Sequence, residues 1–357
     1  MRGFGLVNLE PLIQSERTLV YQVRTFEDFR RSFAVDIASQ YFRLLSTQKG
    51  VANRQLNLTN LALLTARTQA LFEAGRLPYL EVQRSLQSQL AAESQLISSE
   101  QGYASAIDDF KITLGMPVDE ELDVVAVELD VTVPHPQPDA AIELALRYRL
   151  NIKTAADQVE DAHRNVKNAE NGLLPDLTLT ANGTVGNKSD DPAVELDSRT
   201  LGYGAGIRLD LPVDRLAERN TYRRALLLLD RAERTLGATR DRVVADVRDA
   251  LRSIRAAEVN LDIQRRGIDL AYLRLDNSNT SLKLGVPNVT ARDVVESQAS
   301  LLDAQDQYER AKSDLQIQVL LYMRDTGTLR LDQQGGSLAM AMDRAALKLA
   351  NKTGSPR

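Results

Sequence analysis

Apolar residues recur at alternating steps of four and three through Val243, Val247, Ala250, Ile254, Ala257, Leu261, Gln264, Ile268, Ala271 and Leu275, with Gln264 the one polar interruption. That spacing is a heptad seam. It predicts a helix from about Arg215 to Leu284 wound beside another helix for much of its length. At 1.5 Å per residue such a helix reaches about 100 Å, too long for a globular domain of this size to enclose. Residues 12–74 carry the same plan. Phe33, Ile37, Leu44, Val51, Leu58, Leu61 and Phe72 form its stripe, diluted by Gln40, Thr47, Arg54, Thr65 and Thr68. The dilution implies a seam that is partly wet or that faces a water-filled interior.

Gly75 and Gly285 interrupt the two long helices, and Pro78 and Pro287 follow within three residues. Glycine ends a helix in the left-handed conformation and proline restarts the chain, so both sites predict a reversal. The return helices are expected at about 80–113 and 290–326. In the second, Val294, Leu301, Ala304, Tyr308, Ala311 and Leu315 again keep heptad spacing, as expected of an antiparallel hairpin.

The two hairpins are copies of one plan. Laying residues 33–75 over 243–285 brings Ala34, Asp36, Ile37, Leu44 and Gly75 onto Val244, Asp246, Val247, Ile254 and Gly285, a displacement of 210. After the turn the displacement is 212, and Leu114 and Gly115 meet Thr326 and Gly327. An internal repeat explains this more economically than two unrelated domains. The expected organisation is a first helical-hairpin repeat over 1–118, a connector over 119–138, a second repeat over 139–330 and a tail over 331–357. The connector, with Leu122 to Val133 alternating and a proline-rich run from Pro134 to Pro138, reads as extended chain. A helix from Asp139 to Asn171, closed by Gly172 and Pro175, precedes a change of period.

There the pattern becomes two-fold. Leu177, Leu179 and Ala181 alternate with Thr178, Thr180 and Asn182, while Tyr203, Ala205, Ile207, Leu209 and Leu211 alternate with Gly204, Gly206, Arg208 and Asp210. Strands are expected at about 175–186 and 202–213, separated by a polar loop. Such a hairpin suits either a membrane barrel or a soluble cover on one end of a bundle.

Composition narrows the chemistry. The chain lacks cysteine, which excludes disulfides, thiolate metal sites and thiol nucleophiles. Lys plus Arg is 44 against 49 for Asp plus Glu, interspersed, which disfavours a nucleic-acid surface. His135 and His163 have no ligand cluster in sequence, and no acid, base and nucleophile set forms a coherent site, so neither a metal, a cofactor nor an enzyme is expected. No stretch approaches the roughly 20 apolar residues of a spanning helix, so any bilayer crossing falls to strands. Residues 1–20 contain Arg2, Glu10, Pro11, Glu16 and Arg17 and show no export signal.

The order of these elements resembles the TolC-like outer-membrane efflux protein family. The resemblance rests on the helix-to-strand passage beginning ALRYRLNIKTAADQVEDAHRNV at residue 145 and on YGAGIRLDLPVDRLAERN at 203–220. It extends to YFRLL at 41–45 and to the tips LFEAGRLPYLEV at 71–82 and LKLGVPNVTARDVVESQ from 282, and covers nearly all of 5–327. It implies a mainly helical fold of long antiparallel coiled-coil hairpins in two repeats, with a β-hairpin lent to a barrel shared by a homotrimer. It further implies an outer-membrane exit duct with a periplasmic helical extension, supplied by a periplasmic adaptor (membrane fusion) protein and an inner-membrane efflux or export pump. Half of the implied strands are missing from this sequence, as are a signal and a first helix. The chain therefore reads as a truncated representation or a degenerate copy, the latter leaving a soluble coiled-coil scaffold as the competing function.

Two groups of residues carry candidate function. Ala74, Gly75, Arg76, Leu284, Gly285 and Val286 match the tips that meet adaptor hairpins in the family, although helix reversal alone also explains the glycines. Asp293 and Glu296, three residues apart on one helical face, match acidic positions of the family and in a trimer would ring a pore constriction. Helix-start chemistry accounts for the same pair without a pore. Glu81 stands near the analogous first turn in a register that sequence alone leaves uncertain.

Overall fold

The computed structural model describes residues 6–125, 133–185, 201–210, 214–286 and 289–331. The polar loop, Leu211, Pro287 and the tail beyond 331 lie outside the described residues. Helix α1 runs Leu6–Glu73 and α2 Tyr79–Leu114; α3 is Pro138–Tyr148 and α4 Leu150–Asn171. Strands β1, Asp176–Val185, and β2, Leu201–Asp210, precede α5, Leu216–Leu284, and α6, Ala291–Asp325. The chain is mainly helical, as its heptads require. Among the described residues no helix is long and apolar enough to cross a membrane.

The residues form two compact units. One gathers Met1–Glu27 with Leu150–Arg242. In it α1 and α4 are joined by polar contacts. Arg17 pairs with Asp157 at 3.3 Å and Glu160 at 3.0 Å, Arg24 with Asp157 at 2.7 Å, and Arg164 with Glu10 at 3.4 Å. The Tyr21 hydroxyl donates to Asp161 at 2.5 Å; burial, then that bond, raises its pKa well above the ordinary phenol range. The same unit holds the antiparallel pair β1–β2, registered from Asp176↔Asp210 to Val185↔Leu201. Side chains alternate across a strand, so the register sorts them by face. Leu177↔Leu209, Leu179↔Ile207, Ala181↔Ala205 and Gly183↔Tyr203 make one apolar face; Thr178↔Arg208, Thr180↔Gly206, Asn182↔Gly204 and Thr184↔Gly202 make a polar one. Room on the polar face is taken by the partner strand. A Cβ on Gly202 would stand 2.7 Å from Thr184 Oγ1, and one on Gly204 2.7 Å from Asn182 Oδ1.

The other unit, Asp28–Arg149 with Val243–Arg357, holds α2, α3, α6 and the greater part of α1 and α5. The seam expected on α5 is buried at Val243, Val247, Ile254, Ala257 and Ala271 and half-buried at its other positions. On α1 the stripe is displaced at its ends. Phe33 and Phe72 are exposed, and Val35, Ala38, Phe42 and Leu64 take the buried places. The wet reading of the stripe also fails at Thr68, which is wholly buried. Its hydroxyl lies 2.7 Å from that of Ser85 and donates to its own helix at Thr65 O, so the burial leaves no polar group unmet. In the connector, Leu122 and Val124 pack beside Leu44 and Phe110. Its residues 126–132 lie outside the described set.

The single helix expected over 139–171 is two. Arg149 turns extended (φ −66°, ψ 130°) although its N–H still donates to Ala145 O at 3.0 Å. The cause is tertiary. Gly327, at the end of α6, lies against this peptide so closely that a Cβ would meet the Tyr148 carbonyl carbon at 3.1 Å. The Arg149 guanidinium, carried sideways by the break, pairs with Asp246 of α5 at 3.0 Å.

Candidate functional site at the paired hairpin tips

Both long helices stop in the same hydrogen-bonded turn. Gly75 N–H donates to Phe72 O and Arg76 N–H to Leu71 O, each at 2.8 Å. In the second hairpin Gly285 N–H donates to Leu282 O at 3.3 Å and Val286 N–H to Ser281 O at 3.0 Å. This is the Schellman arrangement, and it needs a left-handed residue at the turn. Gly75 and Gly285 supply it with φ of 71° and 69°. Any side chain at either position would be strained.

The two tips lie side by side, since a Cβ on Gly285 would stand 3.7 Å from Arg76 Nη2. Ala74, Gly75, Arg76, Leu284, Gly285 and Val286 are all exposed. Below them Leu61, Leu64, Ala92, Leu282 and Val294 form a core shared by α1, α2, α5 and α6. Each such Leu or Val contributes roughly 1.5–3 kcal/mol by leaving water, so the tips stand on a rigid base.

Asp293 and Glu296 share a helical face but occupy different settings. Asp293 Oδ2 accepts the backbone N–H of Thr290 at 2.8 Å and the Thr290 hydroxyl at 3.0 Å, a cap that closes the start of α6. The backbone bond first, then the hydroxyl, holds its carboxyl below the usual carboxylate range. Glu296 is exposed and pairs with Arg292 at 2.9 Å.

The repeat fixes what sequence reasoning left open at Glu81. Adding 212 brings Glu81 onto Asp293 and Arg84 onto Glu296. Glu81 is only 4% exposed. One oxygen receives the Arg84 guanidinium at 2.7 Å, while the other accepts the backbone N–H of Ala291 at 3.2 Å. The first hairpin thus satisfies a donor at the start of the second, where the first N–H groups of a helix have no partner of their own. A second pair of contacts also obeys the repeat. Thr68 and Ser85 shift onto Ser278 and Ser297, whose hydroxyls lie 2.9 Å apart. Applying the displacement to the polar residues around the tips, beyond the match of Asp36 with Asp246, exposes both relations.

The family profile described as outer membrane efflux protein matches residues 141–321, just over half of the chain. The outer membrane protein TolC of Vibrio cholerae serotype O1 is 26% identical over 193 residues, covering 54% of this chain and 44% of that protein. The outer membrane efflux protein BepC of Brucella suis biovar 1 is 26% identical over 202 residues, covering 57% and 43%. The chain thus aligns with less than half the length of these two relatives. In fold it resembles the outer membrane protein VceC from Vibrio cholerae, with a TM-score of 0.75 at 16% identity over 90% of this chain and 76% of that one.

Proposed function

The chain belongs to the outer membrane efflux protein family, and on that premise we propose that it forms the passive exit duct of a tripartite efflux or export system. The family is one of outer-membrane channels, not enzymes. In this reading three copies assemble, an inner-membrane pump supplies the energy and a periplasmic adaptor docks on the tips around Gly75 and Gly285. Three copies of Asp293 and Glu296 line the narrow end, where a ring of carboxylates concentrates cations. The capped Asp293 remains ionised there at neutral pH, and Glu296 remains exposed. The apolar face of the β1–β2 pair suits lipid and its polar face suits water, the alternation expected of barrel strands.

The observation that carries the assembly is a second seam on α5. Val259, Ile263, Leu270 and Leu273 are 55%, 57%, 67% and 61% exposed, and with Arg266 they keep the steps of four and three. At 100° per residue this row lies about 200° from the buried row through Ala257 and Ala271. A helix apolar on opposite sides packs between two neighbours, as every helix of a closed ring must. α1 carries a similar row: Leu9, Leu12, Leu19, Val23, Phe26 and Phe33 are 40–65% exposed at heptad positions. Apolar rows of this length rarely face water on a lone chain.

The mass of the detergent-extracted protein tests the assembly. Three chains are expected by native mass spectrometry, together with loss of the trimer when Ile263 and Leu270 are changed to Glu. A monomer in the wild type contradicts the reading.

A further inference from the structure

Between α1, α2 and α6 lies an open cavity of about 630 Å³ whose walls hold the wrong residues for a coiled-coil seam. α1 presents Ser46 and Gly50 to it, and α2 presents Ser98 and Gly102. The volume falls in the range of small-molecule sites. Gly50 has a packing reason, because a Cβ there would stand 3.0 Å from Arg54 Nη1. Gly102 has none. It sits inside α2, a Cβ on it would meet no atom within 4 Å, and glycine in a helix interior is less favourable than alanine. Open space is what this position keeps.

The charges at the cavity are unequal in availability. Arg54 is engaged through both terminal nitrogens, Nη2 paired with Asp306 at 2.9 Å and Nη1 donating to Gly50 O at 2.9 Å, while its buried Nε has no partner among the described residues; Asn53 also donates to Asp306, at 3.3 Å. Asp314, the remaining carboxylate of the wall, accepts from Gln318 at 3.2 Å. Arg43 and Arg310 have no partner among the described residues, nor have the hydroxyls of Ser46 and Ser98. The unengaged groups thus include two guanidiniums, which only donate, two hydroxyls able to donate, and the Gln95 amide. Guanidiniums bind pairs of anionic oxygens in a planar fork.

We propose that this cavity is a binding site for a small multivalent oxyanion, held by Arg43 and Arg310 with Ser46 and Ser98 in its wall. A polycarboxylate of citrate size suits the volume, and inorganic phosphate shares the chemistry. The site belongs to a single chain and does not depend on the duct reading.

Isothermal titration of the whole purified protein with citrate, and separately with inorganic phosphate, tests it. Saturable binding is expected, at least tenfold weaker in R43Q/R310Q and unchanged in R252Q, a surface arginine on α5 that does not line the cavity. Gly102→Leu fills the cavity without altering charge and favours the helix, so it is expected to fold and to weaken binding to the same degree. Saturation by both anions, or by citrate alone, supports the site and separates its two chemistries. Absence of saturable binding to either, or binding unchanged in both the R43Q/R310Q and Gly102→Leu proteins, overturns it.

Discussion

The carboxylate of Glu81, in the first turn of α2, accepts the backbone N–H of Ala291, the first residue of α6, at 3.2 Å. The two residues are 210 positions apart in sequence, and their contact joins the two copies of the repeat where both hairpins turn. Replacing Glu81 with Ala leaves the Ala291 donor and the Arg84 guanidinium without this partner. A buried group left unmet costs about 1–3 kcal/mol, so E81A is expected to lose stability on that scale in urea unfolding. Amide exchange should accelerate at the start of α6 before it does so elsewhere. An unchanged midpoint and unchanged exchange would remove Glu81 from this role.

Asp293 gives a pH dependence with a definite sign. Its folded pKa is depressed by the Thr290 backbone and hydroxyl bonds, so the stabilisation is complete above the unfolded value of about 3.9 and fades as pH falls through the lower folded value. D293N retains an acceptor oxygen but loses the charge. At neutral pH it should be less stable than the wild type by roughly 0.3–1 kcal/mol. The gap should narrow as the pH is taken below about 4. A gap that widens on acidification would show that another group dominates the site.

The buried hydroxyls of Thr68 and Ser85 should behave as a coupled pair. Thr68→Val leaves Ser85 without its cross-helix partner and is expected to cost about 1 kcal/mol. The further change Ser85→Ala should cost less in that background than in the wild type, because the hydroxyl it removes has already lost its partner. A double-mutant cycle of thermal midpoints reads the difference. Strict additivity would mean that the 2.7 Å contact carries no net energy.

Much of this architecture is legible in the sequence because it rests on two strong signals. Apolar periodicity located α5 and its buried face, and glycine followed by proline located the tip at Gly75. The same displacement also paired Gly115 with Gly327, which share φ of 72° and 70°. What escaped depends on contacts distant in sequence. The bend at Arg149 follows from the approach of Gly327, which no local pattern announces. Thr68 looked like a wet position because polarity alone cannot reveal that Ser85 waits across the interface. At the site, the tips and acidic residues could be named from sequence, but the burial of Glu81 could not. Nor could sequence separate the capped Asp293 from the ion-paired Glu296.

Neutralising the acidic pair should alter ion preference more than assembly. In the proposed trimer, D293N/E296Q removes six carboxylates from the constriction, two from each chain. The ratio of cation to anion permeability is expected to fall toward unity, with the mass of the assembly retained. An unaltered ratio would place the pair outside the conducting path.

The duct itself is tested most directly by recording current across a planar bilayer containing protein extracted from outer membranes, at low and high salt. Discrete openings that favour cations and rise in conductance with salt are expected from a water-filled pore with an acidic constriction. A silent bilayer, from protein shown by mass to be inserted as a trimer, would contradict the account.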